Sequence, residues 1–179
     1  VIRGRFVALI VILMSIVSPY RASADEAVAK DSWTDLRFLI GDWDAEPAPG
    51  LVLGRFSLAE DLGGAVLVRK NHAEYAPKAG EKSGTVHDDL MFVYSEGGKH
   101  RATFLDPEGH AIHYAIAAVP HGAVFESDVV AGAPRYKLTY EEKEAGLVAV
   151  TFAIAPPGGE YKTYVSGVVK KRAVTTPRG

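Results

Sequence analysis

Between Asp42 and Lys171 the chain divides into ten short runs rich in Val, Ile, Thr, Tyr and Phe, with turns between them that are almost all of hairpin length. Such runs, bounded by Gly and Pro, read as β-strands. They cover residues 42–46, 51–59, 65–75, 87–95, 99–106, 110–119, 123–130, 135–142, 147–155 and 160–171. The connections read PAPG, DLGG, EGG, PEG, PHG, AGAP, EKEA and PPGG, and only Ala76 to Val86 (APKAGEKSGTV) is long.

Alternation along the runs supplies the next step. In RYKLTYE, Tyr136, Leu138 and Tyr140 share one face, while Arg135, Lys137, Thr139 and Glu141 share the other. In YKTYVSGVVKK, Tyr161, Thr163, Val165, Gly167 and Val169 oppose Lys162, Ser166 and Lys170. One dry and one wet face is the pattern of an antiparallel sheet. Ten strands in sequential hairpins leave two bare edges unless the sheet closes on itself. The expected fold is therefore all-β, an up-and-down antiparallel β-barrel of about ten strands. A two-sheet sandwich is the alternative, but its Greek-key crossings need longer connections.

The first 24 residues stand apart. Arg3 and Arg5 precede the apolar run Phe6 to Val17, and Ala22-Ser23-Ala24 forms an A-x-A cleavage pattern. Residues 1–24 thus read as a secretory signal peptide, with the barrel over 25–172 and a flexible tail over 173–179. The expected location is periplasmic or secreted, with no membrane span after cleavage. Without the three arginines of residues 1–24 the chain keeps 17 basic and 22 acidic residues, a formal charge of −5. That argues against a nucleic-acid partner, which needs a positive face. The chain has no cysteine, so disulfides, a thiol nucleophile, Cys-based metal sites and a lipidated N-terminal cysteine are all excluded.

Ahead of the first strand, DSWTDLRFLI reads as a short plug helix, capped by Asp31 or Ser32 and ended by Gly41. In a barrel such a helix closes one end and Trp43 packs inside it. After nine reversals the last strand returns to that end, placing Lys170, Lys171 and Arg172 beside the indole. A short helix, then Gly41-Asp42-Trp43, then antiparallel hairpins resembles the calycin group, which includes lipocalins, fatty-acid-binding proteins and nitrobindin-like proteins. FLIGDWDAE, EDLGGAVLV and HDDLMFVY are similar to uncharacterised lipocalin-like bacterial domains of the DUF1579 type. The resemblance implies an internal cavity for a small, often apolar ligand. It also implies a basic residue of the last strand over the Trp43 indole. Nitrobindin-like proteins hold haem through a histidine near the C-terminus, whereas the last histidine here is His121. No cofactor is expected.

The candidate ligand-binding residues follow from facing and direction. On AVLVRKNHAEY, Leu67, Arg69, Asn71, Ala73 and Tyr75 share the face read as inward, where Arg69 could hold a ligand carboxylate or enter an internal ion pair. Phe92, Phe104, Tyr114, Phe125, Tyr136, Tyr140 and Tyr161 are expected to line or fill the interior. At the rim away from the plug, pairing sets His87 roughly across from Asp106, and Asp106 across from His110, with His72, Asp88 and Asp89 nearby. His110 and His113 look like a ligand pair, but residues three apart on a strand face opposite ways, and no metal site is expected. No catalytic residue is marked, since nucleophile elbow, metalloprotease helix and phosphate loop are all missing from the sequence. Three functions remain open: an exported binder of a small apolar or amphiphilic molecule, a small-molecule enzyme using the His/Asp rim, or a structural or interaction barrel.

Overall fold

Across residues 33–173, which the computed structural model describes, every one of the ten runs becomes a strand. They are β1 (Gly41–Ala45), β2 (Leu51–Asp61), β3 (Val66–Tyr75), β4 (Thr85–Glu96), β5 (Lys99–Leu105), β6 (Ala111–Val119), β7 (Gly122–Ser127), β8 (Arg135–Glu144), β9 (Leu147–Ala155) and β10 (Lys162–Lys171). Each pairs antiparallel with its neighbours in sequence, and β1 pairs with β10 to close an all-β barrel. Residues 1–24, read from the sequence as a signal peptide, the proposed caps Asp31 and Ser32, and residues 174–179 lie outside the described residues. No described helix is long and apolar enough to cross a membrane.

The plug is a 3-10 helix, Thr34–Leu39, rather than an α-helix. It has six residues and no side-chain cap at Trp33, too little to sustain α-helical turns. Its two buried residues, Leu36 and Leu39, are three apart, which a repeat of three residues per turn stacks on one face. The Trp33 indole donates to the Gly64 carbonyl at 2.8 Å, tying the plug to the β2–β3 turn.

Trp43 is fully buried against this plug and stacks on Phe56 with centroids 5.8 Å apart. Its Nε1 donates to the Leu39 carbonyl at 2.8 Å. Lys171, its partner in register, carries Nζ to 5.4 Å from the ring, a cation–π contact, while Arg172 pairs with Asp44. Gly41 makes this possible. Its φ is +134°, and a Cβ there meets Lys171 Cε at 2.7 Å, so a side chain strains the backbone and pushes the lysine off the indole. Gly41→Ala is expected to lower stability by about 1–3 kcal/mol, read as a shift in the urea midpoint at constant slope.

Most boundaries shift by one or two residues, the seventh run ends three residues early, and one strand changes face. The run expected over 123–130 leaves the sheet after Ser127: Arg101 holds the Asp128 carboxylate at 2.5 Å, and the chain turns through Gly132 at φ +75°. Val129 and Val130 are exposed in that loop. The long connection shortens to residues 76–84. In β10 the pairing with β9 slips between Thr163 and Val165. An extra residue at such a bulge reverses the facing of everything beyond it, so Tyr161 and Thr163 no longer share a face with Val165.

The interior is layered. Next to the plug, Leu58, Leu67, Val93, Ala123, Val148 and Val169 are buried around Trp43, and Phe56, Met91, Tyr114, Phe125 and Tyr140 fill the middle. Edge-on contacts of Phe125 with Tyr114 and Tyr140 pack that middle layer. The far end is less closed. Pro47 and Pro49 offer no backbone N–H, and β1 reaches β10 only over Trp43 to Ala45. Residues 162–167 of β10 therefore pair with β9 on one side and with no described strand on the other, leaving a notch in the wall beside β2.

Candidate functional site

In the middle of the barrel, Arg69 on β3 projects inward over the Phe56 ring, 5.2 Å from its centroid. Its guanidinium pairs with the Asp89 carboxylate of β4, whose second oxygen accepts from Asn71 Nδ2 at 2.9 Å. Register sets Asn71 directly opposite Asp89, so three polar side chains meet inside one hairpin. Burial works against the Arg69 charge, but the Asp89 carboxylate paired with it outweighs that cost and holds its pKa above the ordinary arginine value. Burial pushes the Tyr140 and Tyr114 hydroxyls up, so both are neutral phenols. Below this group is an enclosed space of about 10 Å³, lined by Leu39, Phe56, Arg69, Met91, Phe125 and Tyr140 among others. It has room for a single water.

Beyond the ion pair, toward the end away from the plug, the opposing walls of the barrel differ in chemistry. On β8–β10, Tyr136 and Phe152 stack with an interplanar angle of 4°, and Tyr164 meets Phe152 edge-on. Tyr164 is 72% exposed and Val165 46% exposed beside the notch. On the far side, five strands away around the ring, β3–β6 present Asn71, His87, Asp89 and Asp106. His87 Nε2 lies 3.5 Å from Asp89, and its Nδ1 lies 3.7 Å from Glu108. His110 Nδ1 lies 2.7 Å from Asp106, which also accepts from the His110 backbone N–H. Burial opposes ionisation of Asp106, but these hydrogen bonds hold its carboxyl below the usual range.

The structure places the candidates unevenly. Arg69, Asn71, Tyr75, His87, Phe104 and Tyr136 lie on inward-facing rows, and Asp106 and His110 sit at the rim beyond them. Tyr114 is inward but sealed in the packed middle layer. Three others lie on the outer wall. Asp88 pairs there with His72, whose pKa is raised by hydrogen bonds to Glu74 and Asp88. Phe92 stands opposite Val68 and Thr103, 36% exposed. Tyr161 packs on Lys137 and Arg135 and donates to Glu126, because the β10 bulge reversed its facing. The rim pairing is also offset: His87 meets Glu108 rather than Asp106. Leu90 pairs with Leu105, and continuing that register beyond β5 puts position 108 opposite 87.

The sequence does not single out Glu108, Phe152 or Tyr164, and it places Asp89 only near the rim, whereas Asp89 pairs with Arg69 inside the barrel. For Asp89 a signal exists: it shares parity with Met91 and Val93, the buried pair of β4. Leu90, Phe92 and Tyr94 on the opposite face obscured it. The chain matches no family model and no curated protein. Its class is that of a closed ten-stranded antiparallel barrel with a short 3-10 helix packed at one end.

Proposed function

We propose that this protein is an exported, calycin-like barrel that holds a small hydrophobic or amphiphilic molecule in its open half. The observation that carries this reading is the pairing of an aromatic wall, the half-buried Tyr136 and Phe152 with the exposed Tyr164, with a polar wall on the opposite side of the barrel. An apolar tail stacks on the first while a polar head reaches the second, as ligand sites combine apolar lining with a few placed polar groups. The site is shallow, since the packed middle layer below it leaves about 10 Å³ beside Arg69 and Tyr140. Arg69 is already neutralised by Asp89, so it orders the floor of the site instead of pairing with a free carboxylate.

The arrangement of Gly41, Trp43 and Lys171 supports the calycin resemblance, including the DUF1579-type domains, and the leader-like residues 1–24 support export to the periplasm or beyond. Native mass spectrometry of protein purified from its own host is expected to show one retained small molecule. Phe152→Ala and Tyr164→Ala are each expected to weaken its retention about tenfold, the equivalent of about 1.4 kcal/mol of apolar burial. Tyr161→Ala, on the outer wall, leaves it unchanged. Equal retention in all three variants counts against the site.

A further inference from the structure

We infer that His87, Asp106, Glu108 and His110 form a site for a divalent transition-metal cation of the zinc type. The cluster joins two separate segments, the start of β4 and the turn between β5 and β6. Donor atoms of Asp106, Glu108 and His110 lie within 4.8 Å of one another, and His87 Nδ1 faces Glu108 at 3.7 Å. Two imidazoles with two carboxylates suit zinc and its neighbours, whereas calcium and magnesium take oxygen ligands.

A second observation stands outside the cluster. The other ring nitrogen of His87 faces the Asp89 carboxylate, itself 4% exposed and anchored by Arg69 and Asn71. A carboxylate behind the non-ligating nitrogen is the usual means of orienting a metal-binding histidine. Here Asp89 lies 3.5 Å from His87 Nε2, on the barrel-floor side of the ring, while Nδ1 faces Glu108. Zinc–ligand bonds of about 2.0–2.1 Å put tetrahedral donors about 3.3 Å apart. Closing to that spacing asks Glu108 and His110, 54% and 58% exposed, and His87, 35% exposed, to draw in toward the 4% exposed Asp106.

The inference is independent of any amphiphile: zinc can bind whether or not a small molecule is retained, and each result can fail alone. Untagged protein titrated calorimetrically with zinc chloride is expected to bind one ion, while calcium and magnesium chlorides give no heat at the same concentrations. The double variant Glu108→Gln/His110→Ala is expected to bind roughly 100-fold more weakly and His87→Ala at least tenfold more weakly. His72→Ala, which disrupts the outer-wall cluster with Glu74 and Asp88, leaves binding unchanged. Thermal unfolding without metal checks that the variants fold. If one does not, zinc-induced shifts of the His87 and His110 ring nitrogens in the unmodified protein report the same contacts. No one-to-one binding, binding that survives the double variant, or binding lost with His72 overturns the assignment.

Discussion

Trp43→Ala is expected to destabilise the barrel by about 3–5 kcal/mol, the cost of emptying a large aromatic site in a core. The indole is completely buried and joins three elements: the 3-10 plug through the Leu39 carbonyl, β2 through Phe56, and β10 through Lys171. Removing it leaves that carbonyl without its donor and opens a void under Leu39 that a six-residue plug cannot refill. For a domain of this size the loss corresponds to a drop of about 6–20 °C in melting temperature. Trp43→Phe keeps most of the packing and loses the N–H, so its cost is expected to be about 1–2 kcal/mol. Equilibrium unfolding in urea measures both, and a near-neutral alanine variant refutes this placement of the indole.

Asp89→Leu is expected to cost about 3–5 kcal/mol, because it leaves the Arg69 guanidinium buried without its counter-charge. Asn71 loses its acceptor in the same step. The paired change Arg69→Met/Asp89→Leu removes both charges and is expected to recover most of that loss, since a buried ion pair is often no more stable than an apolar replacement. A double-mutant cycle therefore yields a coupling of about 2–3 kcal/mol between the two positions. A double variant as unstable as Asp89→Leu alone shows instead that the carboxylate acts through Asn71 and His87. Either outcome locates what holds the floor of the mouth.

The fold was legible because its causes are local. Strand-forming runs with period-two alternation, joined by short turns, leave a chain few options other than an up-and-down sheet that closes. Arg69 and Asn71 were readable as inward for the same reason, since Lys70, His72 and Glu74 on the opposite face mark it as wet. Asp88, Phe92 and Tyr161 were misplaced where that logic breaks. In β4 both faces carry large apolar side chains, so alternation gives two answers. In β10 a bulge inserts one residue, and nothing in the run YKTYVSG announces it. The plug failed as an α-helix because its six residues take their geometry from the stacking of Leu36 and Leu39 on the barrel end, not from caps.

Sequence alone pointed to about ten strands, to a closed antiparallel sheet over a sandwich, to the burial of Trp43 and to the return of Lys170, Lys171 and Arg172 beside it, because each follows from the parity and direction of consecutive hairpins. The structure picked out Lys171 as the one over the indole. Only the tertiary structure decided what the mouth contains. Register across β4 and β5 brought Glu108, not Asp106, to His87, and the bulge carried Tyr161 outward while Tyr164 came to rest against Phe152. The short β1, ended by its prolines, left the notch beside them. These outcomes depend on one-residue offsets between strands far apart in the chain. Such offsets are set by the packing of both walls at once, and no single stretch of sequence carries that information.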